Sequence, residues 1–127
     1  MSEPPSLLIV DDSTAIRKIL IRILGQAGIA LGAVHEAGDG SEALKVLEGN
    51  PVSMVLSDIN MPNMDGIELL RSLRASERWK ELPVVLITTE GAQARVQEAV
   101  ELGATSYIRK PFNADQLRDR LTTLLAR

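Results

Sequence analysis

The stretch from Val52 to Gly66 holds the side chain that is best placed for chemistry. Val52–Ser57 is a short apolar run with β-branched residues, which favours a buried strand over a helix, and it ends at Asp58. Pro62 then fixes φ and lacks a backbone donor, so the chain must leave the sheet. An aspartate that ends a strand and faces an irregular loop is placed for chemistry rather than for packing. Taken alone, however, Asp58 could equally cap the next turn.

Four other polar residues lie within two positions of the end of an apolar run elsewhere in the chain. Three carboxylates that lie close together repel one another and need a cation; with no histidine or cysteine nearby, oxygen ligands favour Mg²⁺ or a similar ion such as Mn²⁺. A lysine supplies a compact charge suited to a phosphoryl oxygen, and a threonine supplies a hydroxyl donor. Around Asp58 these groups would form a site for phosphoryl transfer. They are Asp11 and Asp12 after Leu7–Val10, Thr88 after Val84–Ile87, and Lys110 after Tyr107–Ile108.

Each of these residues also has an ordinary alternative role. Asp11 and Asp12 could be a solvated pair that caps the first helix. Lys110 could be a surface lysine, and Thr88 could be a β-branched residue that fills a strand end. Only their joint placement favours the functional interpretation.

The chain alternates between apolar runs of strand length and segments with apolar residues at helical spacing. Polar residues mark several helix starts: Ser13 or Thr14 before the first, and Asp39 with Glu42 as a capping box before the second. The predicted strands are Leu7–Val10, Ala33–Glu36, Val52–Ser57, Val84–Ile87 and a short one at Tyr107–Ile108. The predicted helices cover Ile16–Leu24, Ala43–Leu47, Ile67–Leu73, Ala92–Val100, and a last helix that opens at Asn113 and runs through Leu125.

Five strands that alternate with five helices predict an α/β fold of βα units, with right-handed crossovers and a mostly parallel sheet covered on both faces. In such doubly wound sheets, ligands bind beyond the carboxyl ends of the strands, at the switch point in strand order. All five candidate residues follow strands. We therefore expect Asp11, Asp12, Asp58, Thr88 and Lys110 to meet at one edge of the sheet.

Length and composition limit the function classes. The chain has 127 residues, of which 45% are hydrophobic and 24% charged, and this balance is typical of one globular domain. The net charge of −3, with acidic and basic residues interspersed, argues against a nucleic-acid-binding surface. The absence of cysteine excludes disulfides and thiolate metal sites and is compatible with a reducing cytoplasm. No signal or membrane segment is expected from the first residues.

Between Leu7 and Leu125 the chain resembles the receiver domain of two-component response regulators, and most of all the single-domain chemotaxis regulators of the CheY type. The resemblance rests on four motifs that occur in order, each weak alone and highly specific together. It implies a flavodoxin-like (βα)5 sheet with strand order 2-1-3-4-5. The motifs are Asp11-Asp12, the run from Ser57 to Gly66, Thr88, and the run from Tyr107 to Phe112.

The resemblance implies a role for each acidic site residue. Asp58 would accept a phosphoryl group from the phosphohistidine of a histidine kinase. Asp12 would bind Mg²⁺ directly and Asp11 largely through water, while Asp58 and the backbone carbonyl of Asn60 would complete the metal site.

The resemblance also implies how the phosphoryl group is held and read. Thr88 and Lys110 would hold it, and Tyr107 would rotate on an output face made by the fourth helix, fifth strand and fifth helix. A cis Lys110–Pro111 peptide would aim the lysine into the site. Beside the resemblance, Asn60 and Glu90 flank the site in sequence and should control access of water, so we expect a short-lived phosphorylated form.

The expected partners are a histidine kinase as phosphodonor and a downstream output protein, with the flagellar motor switch as a candidate; no nucleic acid or membrane partner is expected. Ser106 replaces an acid that often marks dimerising relatives, which favours a monomer in the cytoplasm. The chain ends soon after the last helix, which favours a single receiver domain over 1–127; the alternative is a receiver excised from a larger response regulator.

Two other function classes stay open at this point. One is an enzyme, an aspartate-nucleophile phosphohydrolase, but such enzymes usually carry a second acid two residues after the nucleophile, where this chain has Asn60. The other is a binding module that never accepts phosphate, against which the intact set of Asp58, Thr88 and Lys110 argues. We expect a phosphoacceptor that promotes only its own phosphorylation and dephosphorylation, not a classical enzyme.

Overall fold

The structure of the chain is a computed structural model that describes residues 4–88, 93–110 and 112–125. The described residues form five strands that alternate with five helices, as predicted. The strands are β1 (Leu7–Val10), β2 (Val34–Ala37), β3 (Met54–Asp58), β4 (Val84–Thr88) and β5 (Ser106–Arg109). The helices are α1 (Thr14–Gln26), α2 (Gly40–Gly49), α3 (Gly66–Arg74), α4 (Gln93–Leu102) and α5 (Ala114–Leu125). None of these helices is long and apolar enough to cross a membrane.

The strands form one parallel sheet in the order β2-β1-β3-β4-β5, which confirms the predicted fold and strand order. The register explains why β2 and β3 begin later than the sequence predicts. Leu7 pairs with Val34 on one side and with Met54 on the other. Since β1 begins at Leu7, β2 and β3 are paired only from these residues onward. The predicted starts at Ala33 and Val52 were therefore one and two residues early.

Alternate strand residues face two separate apolar cores. Leu8, Val10 and Val55 face the core covered by α2, α3 and α4, whereas Leu7 and Ile9 face the core covered by α1 and α5. Because both faces are covered, these strands read as continuous apolar runs without alternation.

Side-chain caps fix several helix starts. The Ser13 Oγ accepts the Ile16 N–H at 3.2 Å, so Ser13, rather than Thr14, caps α1. The Asp39 carboxylate accepts the Glu42 N–H at 2.8 Å at the start of α2. The capping box of α3 was not predicted from the sequence: the Asp65 and Glu68 side chains each accept the other residue's N–H, at 2.9 and 3.0 Å.

Gly66 lets α3 start directly beneath the end of β3. Its N–H donates to the Ile59 carbonyl at 2.8 Å. A Cβ on Gly66 would collide with the Asp58 carbonyl oxygen and lie 3.0 Å from the Ile59 Cα, and both are backbone atoms that cannot turn aside. The sequence Asp65-Gly66 therefore places the helix against the strand that carries Asp58.

We predict that Gly66→Ala destabilises the protein by about 1–3 kcal/mol, since the added methyl overpacks a rigid backbone contact. Urea unfolding monitored by circular dichroism measures the change. Gly25→Ala is the matched control: it lies within α1, where an added methyl group would meet nothing within 4 Å, and alanine is the better helix former by up to about 1 kcal/mol. Equal stabilities of the two variants would contradict this role of Gly66.

Candidate functional site

Three aspartates meet at the carboxyl edge of the sheet. Asp11 follows β1, Asp12 is the next residue, and Asp58 ends β3. One carboxylate oxygen from each lies within 4.8 Å of the others. Asp11 is only 3% exposed, Asp58 is half-buried and Asp12 is exposed. The sequence prediction that these three acids lie together is confirmed, because β1 and β3 are neighbours in the sheet.

Backbone donors hold two of the carboxylates in place. The Ser13 N–H donates to Asp11 Oδ1 at 2.9 Å, and the Ile59 N–H donates to Asp58 Oδ1 at 2.8 Å. The Asn60 N–H of the same loop lowers the pKa of the Asp58 carboxyl group. Asn60 itself is exposed in the loop that follows β3. The loop therefore orients Asp58 by its backbone while leaving one side of the carboxylate available.

The pKa of Asp58 is raised above its ordinary value. Burial is the main cause, and the negative charge of Asp11 adds to it. The positive charge of Lys110 and the N–H groups of Ile59 and Asn60 act in the opposite direction without cancelling the shift. The positively charged and N–H groups of the protein therefore do not fully offset the negative charge of ionised Asp58.

The acidic cluster fits a hard divalent cation. All the side-chain donors are carboxylate oxygens, the type that Mg²⁺ and Mn²⁺ prefer. A cation there would offset the negative charge of ionised Asp58, which burial and Asp11 disfavour. Asp11, Asp12 and Asp58 can hold it.

Thr88 and Lys110 lie at the same edge. Thr88 ends β4 and is 3% exposed, and Lys110 follows the end of β5. The Lys110 N–H donates to the Thr88 carbonyl at 2.7 Å, which joins the two strand ends, and the Lys110 charge lowers the pKa of Asp58. A hydroxyl and an ammonium group thus share the sheet edge with the three acids, as the topology predicted.

Tyr107 lies on the face of the sheet covered by α4. In the register of β4 and β5 it pairs with Leu86, whose side chain belongs to the core on that face, and Thr88 lies two residues further along β4. Since side chains alternate between faces, Thr88 and Tyr107 share one face. The Tyr107 side chain is 43% exposed.

Two other predicted features, Glu90 and the cis Lys110–Pro111 peptide, involve residues outside the described part of the chain.

Two hydrogen bonds that join the loop after β3 to the start of α2 were not predicted. Asn63 adopts a φ of 64°, and its Nδ2 donates to Asp39 Oδ2 at 2.8 Å. The Gly40 N–H donates to the Met64 carbonyl at 2.9 Å. The pKa of Asp39 is lowered, chiefly by the hydrogen bond from Asn63. An asparagine two residues before Asp-Gly is a signal for such a left-handed turn, because asparagine tolerates positive φ.

The chain is similar in sequence to known proteins over most of its length. The family model described as "Response regulator receiver domain" matches residues 7–122. The chain is 42% identical over 120 residues to the chemotaxis protein CheY1 of Helicobacter pylori, covering 94% of this chain and 95% of that protein. It is 39% identical over 121 residues to the chemotaxis protein CheY of Pseudomonas aeruginosa, covering 95% and 96%.

Solved structures agree with these sequence matches. The chemotaxis response regulator CheY4 of Vibrio cholerae superimposes with a TM-score of 0.84 at 34% identity, over 96% of this chain and 99% of that one. The receiver domain of NtrX from Brucella abortus superimposes with a TM-score of 0.83 at 31% identity, over 94% and 98%.

Proposed function

Because the chain belongs to the family of response regulator receiver domains and is of the CheY type, we propose that Asp58 is its phosphoacceptor and that Thr88, Lys110 and Tyr107 hold and read the phosphoryl group. The family receives phosphoryl groups from histidine kinases and passes the signal to an output partner. It is a signalling family rather than a class of enzymes.

One observation carries the proposal for Asp58. Its carboxylate is half-buried, lies within 4.8 Å of two further carboxylates, and has a raised pKa because burial and Asp11 disfavour its charge. A carboxylate with only a packing or capping role would not be kept in such an unfavourable position. Phosphoryl transfer in the presence of a cation provides a reason for it.

In the proposed reaction, an Asp58 oxygen attacks the phosphorus of phosphohistidine, the new O–P bond forms, and the P–N bond breaks to release the imidazole. A Mg²⁺ ion held by Asp11, Asp12, Asp58 and the Asn60 carbonyl would neutralise phosphoryl charge. Lys110 offsets charge on one phosphoryl oxygen, and the Thr88 hydroxyl donates to another. The backbone N–H of Ile59 keeps the attacking carboxylate oriented.

We assign the output to chemotaxis, with the flagellar motor switch as the candidate partner. The support is that the chemotaxis relatives match 94–95% of the chain at about 40% identity. Tighter binding of the phosphorylated chain to the flagellar switch protein of its own organism would support the assignment, and equal binding of both forms would exclude it.

The proposed switch couples Thr88 to Tyr107. Both lie on the α4-covered face of the sheet, and the Tyr107 ring is exposed while Thr88 is buried. When the Thr88 hydroxyl turns towards a phosphoryl oxygen, it leaves space into which the ring can rotate. The surface formed by α4, β5 and α5 then changes shape.

Energetics limit how far this switch can go without a partner. Moving a population from 1:99 to 99:1 needs about 5.5 kcal/mol, whereas one charged hydrogen bond contributes about 1.5–3 kcal/mol. Thr88 alone cannot supply the difference, so the free phosphorylated protein samples both states and the output partner completes the shift.

Our first prediction for this site is that Asp58→Asn abolishes phosphorylation. With a small phosphodonor and Mg²⁺, the wild type should acquire one acid-stable, base-labile phosphoryl group, measured by intact-protein mass spectrometry. The matched control, Asp119→Asn, removes an exposed aspartate of α5 and should label normally.

Two results would contradict the proposal. Equal labelling of Asp58→Asn would place the phosphoacceptor elsewhere. Sustained hydrolysis of added phosphate esters by the wild type would instead support a phosphohydrolase.

Our second prediction is that Thr88→Ala still accepts the phosphoryl group, because the nucleophile and the acidic cluster remain, but loses most of the response at the output face. NMR chemical-shift changes of β5 and α5 on phosphorylation measure that response. Thr88→Ser keeps the hydroxyl and should restore it. Wild-type shifts in Thr88→Ala would show that Thr88 is not the coupling residue.

A further inference from the structure

Arg17, on the first turns of α1, makes three side-chain hydrogen bonds beside the acidic cluster. Nη1 donates to the backbone carbonyl of Asp11 at 2.6 Å, Nη2 to Thr14 Oγ1 at 3.0 Å, and Nε to Glu36 Oε1 at 3.0 Å. The side chain is only 15% exposed. These three contacts fix the plane of the guanidinium group from different directions.

The contact with the Asp11 carbonyl acts on the Asp11–Asp12 peptide unit. A peptide unit is planar, so the orientation of the Asp11 carbonyl also sets the Asp12 N–H and Cα. The Asp11 carboxylate is held separately by the Ser13 N–H at 2.9 Å, and the Asp11 N–H donates to the Ala37 carbonyl at 3.1 Å. Arg17 thus fixes the part of this turn from which the exposed Asp12 side chain projects.

Glu36 anchors Arg17 to the neighbouring strand β2. Its second oxygen, Oε2, accepts from the Lys18 ammonium at 2.7 Å. Lys18 is 61% exposed, and its ammonium contacts Glu36 rather than the Asp11–Asp12 turn. Two adjacent basic residues therefore share one carboxylate, but only one of them reaches the acidic cluster.

We propose that Arg17 is a positioning residue for the cation site: it holds the Asp11–Asp12 turn in the geometry that lets both acids serve one Mg²⁺ ion. The inference rests on the proposed function of this edge and adds a residue outside the groups proposed to bind the cation and the phosphoryl group. Arginine is needed because lysine has one donor centre and cannot bridge the three acceptors in one plane.

The test compares Arg17→Gln with Lys18→Gln by titrating Mg²⁺ into the phosphate-free protein and following amide NMR shifts. Removing a group that orients metal ligands typically weakens metal binding by about 10–100-fold, so we expect a Kd at least about tenfold higher for Arg17→Gln. Lys18→Gln should bind like the wild type. Both variants lose one positive charge, so the comparison removes the effect of net charge.

Two further readouts separate positioning from a general structural role. At saturating Mg²⁺, Arg17→Gln should be labelled by a small phosphodonor at the wild-type rate, because Asp58 is held independently. Without Mg²⁺, its Ser13 amide should exchange hydrogen faster, because the turn that holds the Asp11 carboxylate is looser. Arg17→Lys keeps the charge and should still bind Mg²⁺ weakly; if Arg17→Gln does not fold, this variant decides the question.

Wild-type affinity in Arg17→Gln, or an equal loss in Lys18→Gln, would overturn the inference while leaving the proposed function intact. The inference would also be overturned if the labelling rate of Arg17→Gln at saturating Mg²⁺ fell by as much as its Mg²⁺ affinity. Arg17 would then support the fold in general. If the wild type itself neither binds Mg²⁺ nor labels, the proposed function fails and the inference fails with it.

Discussion

The burial of the Asp58 carboxylate beside a second buried aspartate, Asp11, is the constraint on which the rest of this structure depends. Val10, the last residue of β1, pairs with Ser57 of the neighbouring strand β3. The acids that follow these two residues therefore lie together, with one carboxylate oxygen each of Asp11, Asp12 and Asp58 within 4.8 Å of the others. Burial and repulsion raise the pKa of Asp58 and disfavour its ionised form. The cluster does not favour stability, and a site prepared for a cation and for a phosphoryl group accounts for it.

The strands bring the acids together, and contacts of the adjoining loops and turns hold them there. Gly66 lets α3 pack directly under the end of β3. The loop between them is joined to the start of α2 by the hydrogen bond from Asn63 to Asp39. The start of α3 is fastened to α4 by the Arg95–Asp65 ion pair at 2.7 Å. On the opposite side, Arg17 fastens the Asp11–Asp12 turn to β2 through Glu36. Loops held on a rigid sheet can keep charged groups in place without filling the site with side chains.

The sequence was sufficient to predict the fold and the convergence of Asp11, Asp12 and Asp58, because apolar runs mark the strands and parallel strands end at a common edge. Strand limits were less predictable: β3 starts at Met54 because its neighbour begins at Leu7. The contacts of Asn63 with Asp39 and of Arg17 with Glu36 join segments 24 and 19 residues apart and leave no periodic trace in the sequence. Such tertiary contacts can be seen only once the strand order has brought the loops together.

The most direct test of the central claim is the free energy of unfolding of the wild type and of Asp58→Asn, measured across pH with and without Mg²⁺. A raised pKa means that protonated Asp58 contributes stability below its ordinary value of 3.8, and that this stability is lost as the pH rises through the folded value. Without Mg²⁺, we therefore expect Asp58→Asn to be the more stable protein at neutral pH, with the difference shrinking in acid. Mg²⁺ should stabilise the wild type more than the variant, since it binds the folded cluster. A less stable Asp58→Asn at neutral pH, or equal stabilisation of both proteins by Mg²⁺, would contradict the claim.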